Sequence, residues 1–267
     1  MNNQIIHGMT NLSLGSLYIE LFRDETRLGT GTAFVAKNEK GYFLITNRHN
    51  FTGVGQQDGV FLFKGFPNKV KVYHHMYNQP ELSWKATVQD LYSEDEEPLW
   101  IEHPILKGKA DFVAIEIDDS EDLRFFLINF TDETYNNKLK LAPSDRLSVI
   151  GYPFGYSAGE SNEQYLGIWV NGFIASEPFI DYKGLPVFLI DCRTRPGQSG
   201  SPVFALEYTG QYDLNKSSNE NDRKMKVFDI QHFLGIYSGR IDENSDIGFV
   251  WKASAIKELL EHIDSIN

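Results

Sequence analysis

Three residues in one chain order are candidates for the chemistry: His49, then Asp111, then Ser199. Ser199 lies between glycines in Gly197-Gln198-Ser199-Gly200, within the turn-rich stretch Arg195–Phe204. Glycine permits backbone geometries that turn an amide N–H toward a neighbouring oxygen. A serine hydroxyl held beside such amides can attack a carbonyl carbon, and the amides can stabilise the oxyanion that forms. Alone, Gly-x-Ser-Gly is also an ordinary tight turn; a nucleophile further needs a base and a group that orients the base. His49 ends the apolar stretch Leu44-Ile45-Thr46-Asn47-Arg48-His49, and Asp111 stands immediately before the apolar run Phe112–Ile117. Taken singly, the first reads as a packed or surface histidine and the second as a turn residue. Together they form an acid–base–nucleophile set, because a buried aspartate is costly unless it accepts a hydrogen bond such as an imidazole N–H.

The elements that must position this set are short β-type runs separated by turn residues. Residues 16–22, 31–36, 41–46, 60–63, 69–75, 83–90, 112–117, 146–151, 166–175, 186–191, 202–206, 227–237 and 247–251 read as strands, with Lys37–Gly41 as a hairpin turn. No helix is expected between them, which indicates an antiparallel all-β architecture rather than a βαβ sheet. One helix is expected at the end, over Ala253–Ile266, with Ile256, Leu259, Leu260 and Ile263 on one face. The polar segment Thr131–Lys140 is the expected boundary between residues 1–130, carrying His49 and Asp111, and residues 131–267, carrying Ser199. Gln211–Lys226 reads as an exposed, mobile hairpin loop, and Ser93–Pro98 as an acidic loop, either simply solvated or a docking surface for a basic partner.

Composition bounds the function classes. The chain has 267 residues, 41% of them hydrophobic, with 19 Phe and 13 Tyr, enough for a substantial β-rich core. A formal net charge of −12 argues against generic nucleic-acid binding, which needs a basic surface. The single cysteine, Cys192, excludes an intrachain disulfide and reads as a small buried apolar group. Residues 1–15 lack a basic start followed by an apolar run, and no window is apolar enough to cross a membrane. A cytoplasmic setting without membrane contact is therefore expected. His74 and His75, adjacent in a strand, point to opposite faces and read as structural. Neither a Cys cluster nor His-Glu-x-x-His occurs, so no metal and no cofactor is expected. An α/β-hydrolase is disfavoured too: its triad runs Ser, acid, His, and its elbow needs Gly two residues after the nucleophile, where Ser201 stands.

With these residues in place, the chain resembles the chymotrypsin/trypsin-fold serine peptidases, in the bacterial style of the glutamyl endopeptidases and HtrA-like protease domains. Thr46-Asn47-Arg48-His49 resembles the family's Thr-Ala-Ala-His, and Asp111-Phe112-Val113-Ala114-Ile115 its Asp-Ile-Ala-Leu-Leu, with His103-Pro104 ahead of it. Val149–Gly155 is similar to the strand and turn that open the second barrel. Gly197-Gln198-Ser199-Gly200-Ser201-Pro202-Val203-Phe204 is close to Gly-Asn-Ser-Gly-Ser-Pro-Val-Phe, and Gly235–Gly239 falls at the substrate-pairing strand. The matching blocks run in order from about Gly31 to the end of the chain.

The resemblance implies two antiparallel six-stranded β-barrels with a C-terminal helix. It implies a serine endopeptidase that hydrolyses peptide bonds through an acyl-enzyme. Ser199 is then the nucleophile, His49 the general base and Asp111 its orienter, with Gly197 and Ser199 N–H groups as the oxyanion hole. Tyr237, Ser238 and Gly239 would pair with a protein or peptide substrate. Gln198 stands where the trypsin-like branch carries an Asp, and no Arg-Ile-Val-Gly-Gly segment lies near the start, so activation by N-terminal cleavage is not expected. Restraint then falls to narrow specificity or a regulatory partner protein. Counting back from Ser199 places Arg193 at the floor of the primary pocket, where it would favour acidic side chains, or else in solvent. Tyr237 occupies the position at which glutamyl endopeptidases use a histidine for the substrate glutamate. The alternative reading is a catalytically silent protease-fold binding or scaffold module.

Overall fold

The computed structural model describes residues 10–56, 58–76, 83–128, 141–159, 161, 163–213 and 224–266, with the side chains of 207–213 and 224–231 left aside. The expected boundary at Thr131–Lys140 lies outside the described residues.

The first half is one antiparallel sheet of eight strands: β1 (Ser16–Arg23), β2 (Thr26–Lys37), β3 (Tyr42–Thr46), β4 (Lys69–Met76), β5 (Trp84–Asp90), β6 (Ile101–Glu102), β7 (Val113–Ile117) and β8 (Leu123–Arg124). Their order is β5-β4-β1-β2-β3-β7-β6, with β8 paired to β4. The edge strands β5 and β6 are consecutive in the chain. The segment between them folds back on itself, with Leu99 N–H donating to Leu91 O at 2.9 Å and a bridge between Tyr92 and Pro98. The acidic run Ser93–Glu97 is the tight turn at the tip of that fold-back. The first half therefore carries more strands than a plain six-stranded barrel, two of them only two residues long.

The second half is a closed barrel in the order β10-β11-β14-β13-β12-β9, made of β9 (Arg146–Gly151), β10 (Ile168–Ile174), β11 (Val187–Asp191), β12 (Pro202–Asp213), β13 (Lys224–Arg240) and β14 (Ile247–Lys252). The β12–β13 ladder extends to Asp213 and Lys224, so both ends of the expected loop Gln211–Lys226 are paired strand; residues 214–223 lie outside the described part. The all-β reading holds, as does the terminal helix, here α3 (Ala253–Ser265), with the short α1 (Asn11–Gly15) and α2 (Arg48–Thr52) added. Among the described residues no helix is long and apolar enough to cross a membrane.

Several strands are apolar without alternation because both of their faces are buried, as expected where a sheet is covered on two sides. Ala33 and Val35 of β2, Leu44 of β3 and Val113 of β7 pack inside the first half. Their neighbours Phe34, Ala36, Phe43, Ile45 and Ala114 instead join Ile150, Phe204, Ile236 and Trp251 of the second half in a shared core. In β9, likewise, Leu147 and Val149 face the barrel interior and Ile150 the shared core. Helix α3 adds Ile256, Leu259, Leu260 and Ile263 to that core and touches the β2–β3 turn, where Asn38 Nδ2 donates to Leu260 O at 3.2 Å. The two halves are thus fixed against each other by apolar side chains, and the three candidate residues sit at the edge of that contact.

Residues 60–63 do not form the expected strand. Phe61 makes a single bridge to Val54, and Val60, Phe61 and Leu62 are exposed. Their composition suits a strand, but Gly53, Gly59 and Gly65 take positive φ and bend the segment into a loop closed on itself, with Leu62 N–H donating to Gly53 O.

Candidate active site

His49 lies on α2, one turn of helix rather than a strand end. Asn47 is its N-cap in extended conformation, and Gly53, at φ 69°, ends it by donating to His49 O. Asn47 Nδ2 also donates to Asp111 O at 2.6 Å, which ties the helix start to the residues before β7. Arg48 turns away from the core and pairs through Nε with Glu102 Oε1 at 2.7 Å.

Asp111 is fully buried, and its carboxylate has three donors. His49 Nδ1 lies 2.6 Å from Oδ2, His49 backbone N–H donates to Oδ1 at 3.0 Å, and Ser238 Oγ donates to Oδ2 at 2.5 Å. A buried carboxylate so satisfied stays compatible with burial. Because Nδ1 faces a carboxylate, it carries the proton, which leaves Nε2 as the basic nitrogen. His49 and Ser199 line one cleft of about 370 Å³, together with Asn50, Gln56, Phe63, Gly197, Ser238, Gly239 and Arg240. Among the described residues no hydrogen bond joins Ser199 Oγ to His49.

The backbone around Ser199 is held by its carbonyls. Pro196 O accepts from Phe154 N–H at 2.6 Å, Gly197 O from Thr32 Oγ1 at 2.9 Å, and Gln198 O from Ser201 N–H at 2.9 Å. In a trans peptide the N–H points opposite the carbonyl. The carbonyls of Pro196 and Gln198 therefore set the directions of Gly197 N–H and Ser199 N–H, neither of which makes a backbone hydrogen bond among the described residues. Gln198 is buried, and its Oε1 accepts from Arg195 N–H at 2.9 Å, closing the turn before the serine. Ser199 O accepts from Thr32 N–H at 2.9 Å and from Asn50 Nδ2 at 3.2 Å. Asn50 Nδ2 also reaches Thr46 Oγ1 at 2.9 Å, so one amide links the helix carrying His49 to the loop carrying Ser199.

Gly200 is required where it stands. Its φ is 91°, and a Cβ there would lie 1.9 Å from Thr32 O. Gly239 also has positive φ, 107°, but a Cβ there meets nothing within 4 Å. Gly200→Ala is therefore expected to cost roughly 3 kcal/mol or more, from backbone strain plus a clash with a fixed carbonyl, and Gly239→Ala only about 1–2 kcal/mol. Urea unfolding midpoints of the two variants check this; equal losses would show that the close approach to Thr32 carries no weight.

Tyr237, Ser238 and Gly239 all lie beside the site, though differently. Ser238 and Gly239 line the cleft, while Tyr237 is buried behind it with its hydroxyl hydrogen-bonded to that of Thr194. Burial pushes the Tyr237 phenol up to about 12, against smaller lowering effects of the Thr194 hydrogen bond and of the Arg240 and Arg195 charges. Arg193 does not reach the cleft. The chain alternates there, with Cys192 and Thr194 buried and Arg193 exposed, so the residue expected at the pocket floor faces water and Thr194 takes the inward place. Arg195 bonds its own neighbour, Nη1 donating to Thr194 O at 2.7 Å, and the cation that does line the cleft is Arg240. The Cys192 thiol is buried and pushed up to about 12, chiefly by desolvation, so it stays protonated. Among the described residues no group of three His, Cys, Asp or Glu side chains could hold a metal ion. Asn50, Thr32, Thr194 and the Ser238–Asp111 bond were not foreseen; each gains its partner from a distant part of the chain.

Two packed β halves with a His–Asp pair and a Gly-flanked serine at their junction define a peptidase-like architecture. The model for the trypsin-like peptidase domain matches residues 29–211, and the chain belongs to that family. Its fold is similar to that of a serine endoprotease from Yersinia pestis, at TM-score 0.53 and 13% identity, covering 94% of this chain and 63% of that one. The chain thus spans a little under two thirds of that protein's length. It is also similar to Rv3671c from M. tuberculosis H37Rv in an inactive form, at TM-score 0.50 and 16% identity, covering 100% of this chain and 93% of the other. No curated protein matches the chain in sequence.

Proposed function

We propose that the protein is a serine endopeptidase in which Ser199 is the nucleophile, His49 the general base and Asp111 the group that orients it. The supporting observation is the buried His49–Asp111 pair opening on the same cleft as Ser199. His49 Nε2 takes the Ser199 hydroxyl proton as Oγ attacks the peptide carbonyl carbon. The C=O electron pair moves onto oxygen, which the N–H groups of Gly197 and Ser199 receive. The tetrahedral centre collapses with transfer of the Nε2 proton to the leaving amine, giving an acyl-enzyme. Water then repeats the sequence, its proton passing to Nε2 and back to Ser199. Losing one oxyanion donor in such a site costs roughly 10²–10³ in turnover.

Activation by N-terminal cleavage plays no part in this reading, because the side chain before Ser199 is an uncharged Gln already bonded to Arg195 N–H. The division near residue 130, the cytoplasmic setting and a regulatory partner belong to the same proposal. A second reading, a silent binding module, draws on the missing Ser199–His49 hydrogen bond. Labelling by a fluorophosphonate probe separates the two: the wild type is expected to be labelled and Ser199→Ala not at all. A wild type that resists labelling, also with peptides present, leaves only the binding module.

A further inference from the structure

The turn of helix that carries His49 is too short to hold its own direction. A five-residue helix has little stability of its own, so side-chain tethers set where α2 points. Two of them lead to the acid. Asn47 Nδ2 reaches Asp111 O, and Arg48 Nε reaches Glu102 on β6, the strand paired with β7. They place His49 against Asp111 and leave its attitude toward Ser199 open. The tether that closes this gap comes from the next residue. Asn50 is buried, and its amide sends both N–H groups to acceptors, one to Thr46 Oγ1 at 2.9 Å and the other to Ser199 O at 3.2 Å. Among the described residues no other side chain of α2 hydrogen-bonds the loop that carries Ser199.

Nothing in the helix itself favours asparagine at this place. Asn is a mediocre helix former, and a buried amide is costly unless it is hydrogen-bonded. Its surroundings are arranged to receive it. Thr46 Oγ1 donates its own proton to Thr32 O at 2.7 Å, which leaves its lone pairs for the Asn50 amide. Gly31 leaves the room, since a Cβ there would lie 2.7 Å from Asn50 Nδ2. Thr32, beside it on β2, holds the serine loop from the sheet, with N–H to Ser199 O and Oγ1 to Gly197 O, both at 2.9 Å. Ser199 O is thus gripped by two donors with different mountings, one on the sheet and one on the helix of the base. The first fixes the loop, and the second fixes the helix relative to the loop.

We propose that Asn50 is a positioning residue that sets the separation and angle between His49 Nε2 and Ser199 Oγ. The inference rests on the peptidase reading. Because no hydrogen bond joins Ser199 to His49 among the described residues, their alignment comes from this backbone contact rather than from each other. Without it the helix can turn about its anchors on the Asp111 side. His49 then stays paired with Asp111 but meets the serine proton less often at a productive angle. The signature is a slower chemical step with unchanged probe binding.

A double-mutant cycle on fluorophosphonate labelling tests this, with the maximal labelling rate and the half-saturating probe concentration read separately on folded protein. Asn50→Ala removes the tether. Gly31→Ala displaces it, because the new Cβ enters the space of the amide at a position with no positive φ. Each is expected to lower the maximal rate roughly ten- to a hundredfold, between the loss of one hydrogen bond and a misplacement of about 1 Å, and to leave half-saturation unchanged. The two losses are not additive: once the amide is gone, Gly31→Ala costs little more. Gly31→Ala keeps every polar group, so it carries the test alone if Asn50→Ala does not fold. Maximal rates within about threefold of wild type, losses in probe binding, additive losses, or losses confined to unfolding midpoints would each overturn the assignment and leave the peptidase reading standing. A wild type that is never labelled removes both.

Discussion

Asp111→Asn is expected to slow fluorophosphonate labelling of Ser199 by about four orders of magnitude while leaving the fold intact, the scale typical of losing the orienting acid in such a triad. The reason is the tautomer. Oδ1 of an asparagine can still accept from the His49 backbone N–H, as the carboxylate does now at 3.0 Å. Its Nδ2 then faces His49 Nδ1, a donor against a nitrogen that currently donates across 2.6 Å. The imidazole satisfies the amide by moving its proton to Nε2, and an Nε2–H cannot accept the serine proton. The size and burial of the side chain hardly change, and a buried charge becomes a neutral amide, so unfolding midpoints and peptide affinity should stay close to wild type. A labelling rate within tenfold of wild type, with the variant folded, would remove Asp111 from the catalytic reading. Ser238→Ala is the internal comparison: it deletes only one of three donors to the carboxylate and should cost roughly 1–3 kcal/mol in the same rate.

The sequence disclosed the members of this pair but not their surroundings, for a physical reason. His49 and Asp111 stand close to apolar runs, and those runs are apolar because they face two cores at once, as Leu44 and Ile45 do on successive positions of β3 and Val113 and Ala114 on β7. That pattern is local and readable. The helix that carries His49 spans five residues, too few for a 3.6-residue period to register; it exists because Asn47 is extended and Gly53 is left-handed. Residues 60–63 have strand composition, and it is the positive-φ glycines around them that make a loop. Arg193 shows how little separates the two places open to it, pocket floor or solvent, in a strand-like segment. A shift of one residue exchanges the inward and outward faces, and the inward place belongs to Thr194. Asn50 reaches Ser199 O and Ser238 reaches Asp111 across the two halves of the chain, so no spacing rule could announce those bonds. The β12–β13 ladder runs well past the apolar residues that mark it in sequence, since backbone pairing needs no apolar side chains.

The second large effect is acid lability, and it comes from outside the site. His74 and His75 stand next to each other in β4, and both are buried, 2% and 1% exposed. The expectation that they point to opposite faces is compatible with this because each face is covered. His74 packs against Phe125, at 5.5 Å between ring centroids, while His75 lies against Trp84 and Phe126, at 5.0 and 5.2 Å. His75 Nε2 is 3.0 Å from Leu14 O, a bond it makes as a donor, and the Nδ1 atoms of both rings have no partner. Desolvation lowers His74 to about 4 and His75 to about 3; for His75 the neighbouring His74 and Arg124 lower it further and the Leu14 hydrogen bond opposes them. In the unfolded chain both titrate near 6.5. Folded-state values below the unfolded one mean that the unfolded chain binds more protons as pH falls, so stability is fully present above about 6.5 and declines below it. With two such groups the slope is roughly 2.7 kcal/mol per pH unit until about pH 4, where His74 begins to charge in the native state too. Between pH 6.5 and 4.5 that amounts to about 5 kcal/mol, the whole net stability of many domains. Urea midpoints measured from pH 8 to 4.5 should therefore hold level and then fall steeply. In His74→Phe/His75→Gln, which keeps a donor for Leu14 O and adds no titrating group, the fall should be much shallower even if the starting stability is lower. A double variant as acid-labile as the wild type would place the proton uptake elsewhere in the chain.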